Sequence, residues 1–273
     1  MPPASLQIFR PSSFVAFVTF VFRKMIFKKI FSRKWIFTTL LVLLGAGMCI
    51  RLGIWQLDRL EQRRAFNNQV TSMRALPALD LNADADSDLA VMEYRAVVVR
   101  GTYDFANQVA LRNYYNEGVY GYHLLTPLLL SDGRAILVDR GWIPSEGNDS
   151  PSAWSRYQEA APVQVEGVMR LGVEKIPLGA NPDPTLAPGQ ARLEFWNFVN
   201  IERLAAQIPY PILPVYIQPN PDANDSQPPI PYQPEIELTE GPHMGYALQW
   251  FAFAAILLAG YPFYLRKQEA TPR

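Results

Sequence analysis

His243, Tyr246 and Trp250 stand three and four residues apart at the head of an uncharged run from Met244 to Leu265. On an α-helix that spacing gathers the three rings on one face. An imidazole set between aromatic walls is able to ligate the iron of a flat apolar cofactor such as haem. The same residues also fit an interfacial aromatic belt with a polar neighbour. Both readings make the start of this helix the place to look. Pro242 just before it suits a first helical turn, where its missing N–H would have no partner anyway.

The element that must carry these residues is long. A run of roughly 20 apolar residues crosses a bilayer core at about 1.5 Å per residue, and residues 243–265 meet that length. A second such run, residues 35–57, is interrupted only by Arg51, whose side chain is able to snorkel to the headgroups. Gly45, Gly47 and Gly53 along it leave room for close helix approach. The chain is therefore expected to be a membrane protein in five parts. These are a basic leader (1–34), transmembrane helix one (35–57), an extracytoplasmic domain (58–242), transmembrane helix two (243–265) and a tail (266–273).

Charge orients the two spans. Residues 1–50 hold seven basic residues and no acid, and Arg266-Lys267 follow the second span. Both termini are expected on the cytosolic side of a bacterial inner membrane, with the middle region outside. Arg59, Arg63 and Arg64 pull weakly the other way. Within 1–34, residues 26–34 mix aromatic and basic residues at helical spacing, which favours lying on anionic membrane lipid. Residues 52–243 hold 14 basic against 24 acidic residues, a net of −10. That balance excludes a nucleic-acid partner, which needs a basic face on the folded part. One cysteine, Cys49, and two histidines cannot assemble a Cys₄ or Cys₂His₂ zinc site or a paired-thiolate copper site.

The middle region reads as strands. Residues 94–103, 108–115, 122–130, 134–142, 162–171, 195–199 and 213–218 are rich in β-branched and aromatic residues and bounded by turn formers. Ser131-Asp132-Gly133 predicts a hairpin whose Asp-Gly pair supplies positive φ. A polar helix is expected to continue from Asp58 to about Met73, and a short one over 201–207. The fold class is thus two transmembrane helices flanking a β-rich α+β domain, an antiparallel sheet or small barrel.

Other chemistry is sparse. His123 lies on or beside a strand and reads as a structural, hydrogen-bonding residue. Neither a G-x-S-x-G elbow nor a phosphate loop of the G-x-x-x-x-G-K-[ST] type occurs. Arg140-Gly141-Trp142-Ile143-Pro144 reads as a strand end with a bulge and a packed tryptophan, or as an aromatic and cationic corner facing a membrane or partner.

Several segments, in order, resemble one family. These are Leu52-Gly53-Ile54-Trp55-Gln56-Leu57-Asp58-Arg59-Leu60, Gly101-Thr102-Tyr103, Gly121-Tyr122-His123 with Thr126-Pro127-Leu128, the run from Ile136 to Pro144, and the run from Pro242 to Phe251. Together they are similar to the surfeit locus protein 1 family of membrane-anchored assembly factors for haem-copper cytochrome c oxidase. The likeness covers roughly 35–265. It implies no enzyme, but a factor that holds or delivers haem a to the catalytic subunit of the oxidase, in contact with that subunit and with haem a biosynthesis enzymes. Its alternative is a scaffold or chaperone without haem contact. The family's haem-linked histidine falls on His243, with Tyr246 and Trp250 packing the ring or its tail. Arg51, Trp55 or Arg140 would complete such a site. Glu146-Gly147-Asn148-Asp149 and the Pro-rich stretches 177–190 and 219–234 depart from the family pattern.

Overall fold

The computed structural model describes residues 32–84, 87–222 and 226–270. The leader expected over 1–34 lies, up to residue 31, outside the described residues. In chain order the elements are α1 (Ile36–Ala75), β1 (Leu79–Asp80), α2 (Leu81–Asp84), β2 (Ala96–Tyr103), β3 (Val109–Asn116), β4 (Val119–Leu129), β5 (Ala135–Pro144), β6 (Val163–Leu171), β7 (Phe195–Trp196), α3 (Ile201–Ala205), β8 (Ile212–Pro219) and α4 (His243–Ala270). They form two compact units, one of residues up to Phe66 together with those from Thr239, the other Asn67–Leu238.

In the first unit, α1 and α4 are both long and apolar enough to cross a membrane. The less exposed positions of α1 include Thr39, Val42, Ala46, Cys49, Gly53, Gln56 and Leu60, in alternating steps of three and four. On α4 they include His243, Ala247, Trp250, Ala254, Leu257 and Tyr261, with the same alternation. Such a repeat makes one seam along each helix and suits a shallow crossing angle. The seams run antiparallel, with Gln56 against His243 at one end and Thr39 against Tyr261 at the other. Small residues set the separation. A Cβ on Gly53 would stand 2.7 Å from the Phe251 ring, and one on Gly45 would touch Leu257. Gly47, expected to share that role, faces open space and does not.

In the second unit the strand order is β1-β2-β6-β8-β5-β4-β3-β7, and β2 also pairs with β4 through Thr102↔Leu129 and Tyr103↔Leu128. That extra pairing closes β2, β6, β8, β5 and β4 into a five-stranded ring. Of the antiparallel sheet or small barrel expected from sequence, the closed ring is the barrel, and it departs from antiparallel pairing where β5 and β8 run parallel. The reason is parity: directions alternating around an odd ring cannot close, so at least one neighbouring pair must be parallel. β1–β2 and β3–β7 are short parallel additions outside the ring. Val97, Val99, Leu128, Ile136, Val138 and Ile217 belong to one buried cluster on one face of the ring. Leu111, Leu125, Leu137, Trp196 and Leu204 build a second cluster with α3. Alternating residues of β5 serve the two clusters, as the period of a strand dictates.

Turn chemistry sets the registers. In the β4–β5 hairpin Gly133 N donates to Leu130 O and Leu130 N to Arg134 O, and Gly133 takes φ +86°. Asp132 does not adopt positive φ. Its carboxylate instead accepts from Arg134 N. The loop is therefore a three-residue turn ending in a left-handed glycine, not a two-residue Asp-Gly turn. The strand expected over 195–199 stops at Trp196, because Asn197 N and Phe198 N donate to Asp183 Oδ1 rather than to a strand. On β5 the register slips between Asp139 and Trp142. Gly141 takes φ +113° there, and a Cβ on it would fall 2.1 Å from Ile230 O. The expected bulge at Gly141 is present for that reason.

Candidate functional site

α4 begins where the backbone reverses. Gly241 takes φ +68°, which glycine adopts without a Cβ penalty, and Tyr246 N donates to Pro242 O as the first helical bond. The segment ahead of it is tied to α1. Arg63 Nε donates to Thr239 O at 2.9 Å, and Arg64 donates through Nε and Nη2 to the two Glu240 carboxylate oxygens at 2.8 and 2.9 Å. That bidentate bond holds the Glu240 carboxyl below the usual carboxylate range. Both side chains are half exposed, so the pair orients the chain more than it stabilises it.

His243 is the first residue of α4, half-buried, and its Nδ1 lies 2.8 Å from Gln56 Oε1. A carboxamide oxygen only accepts, so Nδ1 carries the proton and donates. The lone pair of the neutral ring is then on Nε2. A Cβ on Gly241 would stand 3.5 Å from that nitrogen and 3.4 Å from Cδ2, and glycine leaves this side of the ring uncrowded. Trp250 shares the seam with His243 and is half-buried, its ring meeting Phe253 edge-on at 5.9 Å. Tyr246 lies off the seam and is 47% exposed. Among the described residues no ring contact joins His243, Tyr246 and Trp250 to one another. The arrangement offers one nitrogen ligand at a helix start. Nowhere among the described residues do three or more His, Cys, Asp or Glu side chains gather as a metal cluster.

The accessory residues divide. Trp55 is exposed, with the Arg59 guanidinium 5.7 Å from its ring centroid, and Arg51 is exposed on α1. Arg140 is 4% exposed and committed within its own domain. It donates to Gln108 Oε1, Tyr157 O and Glu159, and packs on the Tyr103 and Phe105 rings. With Trp142 also buried, the corner from Arg140 to Pro144 is a packed strand end and not an exposed aromatic and cationic surface.

His123 has the structural role expected. It donates from Nδ1 to Asp139 at 2.9 Å, is 2% exposed, and stacks on Tyr114 with ring centroids 3.7 Å apart. Burial and the Asp139 charge push the Tyr114 hydroxyl well above its ordinary value. A cavity of about 240 Å³ borders His123, Trp142 and Tyr232.

Residues 43–255 match the SURF1 family. The chain belongs to that family. It is 23% identical to a Surfeit locus protein 1 of Arabidopsis thaliana, covering 81% of this chain and 75% of the relative. It is 27% identical to a SURF1-like protein of Monosiga brevicollis, covering 79% and 83%. A SURF1-like protein of Rickettsia conorii is 24% identical over 85% of this chain and 93% of its own length. The SURF1 match takes in α1 from Leu43 onward, the whole β domain and the first half of α4, and so includes Gln56, Gly241, His243, Tyr246 and Trp250.

Sequence reasoning named His243 but assigned no role to Gln56 or Gly241. A signal for Gln56 existed. It is an amide three residues after Gly53 and four before Leu60, a polar residue on an apolar seam, and such a residue needs a partner.

Proposed function

We propose that this protein is a membrane-anchored assembly factor of haem-copper cytochrome c oxidase that holds haem a at His243 and passes it to the catalytic subunit. Haem a, when bound, would supply an iron open to an imidazole ligand and a flat apolar ring. His243 would hold that iron through Nε2, since Nδ1 is already engaged. Tyr246 and Trp250 offer aromatic surface one and two turns further along α4. The unpaired N–H groups of the first helical turn favour carboxylates, such as those a haem carries. A single strong ligand per chain suits release as well as capture. The observation that carries the reading is the half-buried imidazole at the first residue of an apolar helix, held by a neutral amide that leaves one nitrogen unused.

The same pair of helices supports membrane anchoring. The two interhelix polar pairs, Thr39–Tyr261 and Gln56–His243, stand 17 residues apart on α1. At 1.5 Å per residue that is about 26 Å, close to the roughly 30 Å hydrocarbon core. Polar contacts then fall at the two interfaces, and the apolar seam lies between them. The basic residues before α1 and after Leu265 support a reading with both termini in the cytosol of a bacterial cell and the β domain outside. Contacts with the oxidase subunit and with enzymes of haem a synthesis belong to this reading.

A second reading has one observation in its favour. The Gln56–His243 bond by itself accounts for a histidine on the seam, as expected of a scaffold that chaperones the oxidase subunit without touching haem. The deciding experiment is the optical spectrum of the detergent-purified full chain, co-expressed with a haem a synthesis pathway, as wild type and as His243→Ala. A haem a band that disappears in the variant is expected. A colourless wild type that still co-purifies with the oxidase subunit would select the scaffold.

A further inference from the structure

Neutral imidazole has two tautomers, and only one offers Nε2 as a ligand. At His243 the choice falls to Gln56, whose oxygen accepts at 2.8 Å from Nδ1. Gln56 is half-buried on the α1 seam, between the buried Gly53 and Leu60. On the other side of the ring, a Cβ on Gly241 would lie 3.5 Å from Nε2, in van der Waals contact, and glycine leaves that place unfilled. These two contacts are independent of each other. One sets which nitrogen is free, and the other leaves space at that nitrogen.

We propose that Gln56 is a positioning residue for His243, fixing the tautomer with Nε2 unprotonated, and that Gly241 keeps that nitrogen open to a planar iron ligand. The inference deepens the haem-holding reading and rests on it. Partners of this kind orient the ring and tune its basicity, and their loss lowers metal retention by about 10–100-fold. A merely structural Gln56 would serve only to link α1 and α4.

The test uses full-length protein in detergent with ¹⁵N-labelled histidine. Ring ¹⁵N shifts of haem-free protein report the tautomer, and the haem a to protein ratio after dialysis reports retention. Wild type is expected to show protonated Nδ1. Gln56→Met keeps the length and loses the acceptor. It should lose the tautomer preference and retain haem a about 10–100-fold more weakly. Gln56→Glu restores an acceptor, and should recover retention with a lower midpoint potential for the iron. Gly241→Ala should keep the wild-type tautomer yet lose haem. Retention in Gln56→Met equal to wild type, or a wild-type ring protonated on Nε2, would overturn the assignment of Gln56 while leaving His243 as ligand. A wild type that takes up no haem a, or a His243→Ala variant that keeps it, would overturn both readings together.

Discussion

Thr39 Oγ1 and Tyr261 Oη lie 2.6 Å apart, joining residues 222 positions distant in the chain. Thr39 also donates to Trp35 O, one turn back on α1. The pair is the counterpart, at the opposite end of the seam, of Gln56 and His243.

A hydrogen bond between apolar helices is worth on average about 0.6 kcal/mol by double-mutant cycles. Thr39→Val combined with Tyr261→Phe should show a coupling of about that size in detergent unfolding. Neither variant should alter the haem spectrum, since both lie at the far end of the helices from His243. A spectral change in Tyr261→Phe would place a ligand-linked role at this end as well.

Asp139 and His123 form a buried pair, each side chain 3% exposed. Asp139→Ala leaves a buried imidazole donor without its partner, a loss of about 1–3 kcal/mol. The denaturant midpoint of the full chain should fall accordingly, while haem a retention per folded molecule should not change. A retention loss out of proportion to the folded fraction would contradict the structural role given to His123.

Asp104 provides a pH test. Burial pushes its carboxyl up, but hydrogen bonds from Tyr210 Oη, the Asn107 side chain and the N–H groups of Ala106 and Asn107 outweigh this, and the net shift is downward from 3.8. A carboxyl lowered in the folded state adds stability that is complete above its unfolded value and is lost as pH falls through the folded one. The wild-type denaturant midpoint should therefore decline more steeply than that of Asp104→Asn below about pH 4. Parallel curves for the two proteins between pH 6 and 3 would show that Asp104 does not contribute.

Much of this molecule is legible residue by residue. The two apolar runs, the polar extension of α1 past Asp58, the strands and the Ser131–Gly133 turn depend on hydropathy, β-branching and glycine conformations that act within a few residues, and each element lies within a few residues of where its pattern puts it. His243 was legible too, because an imidazole at the head of an uncharged helix stands out against its neighbours.

Tertiary structure decided what those elements do to one another. The parallel β5–β8 pair follows from closing five strands into a ring, a condition no single strand carries in its pattern. The motif of Arg140 fits a packed strand end or an exposed cationic corner, and the fold decides by surrounding the guanidinium with Gln108, Glu159 and two aromatic rings. Gln56 and His243 are 187 positions apart, and only the pairing of two helical seams shows which nitrogen of the imidazole is engaged and which is left for a ligand. Local chemistry specifies the groups. Packing, which must satisfy every buried donor and acceptor at once, specifies their partners.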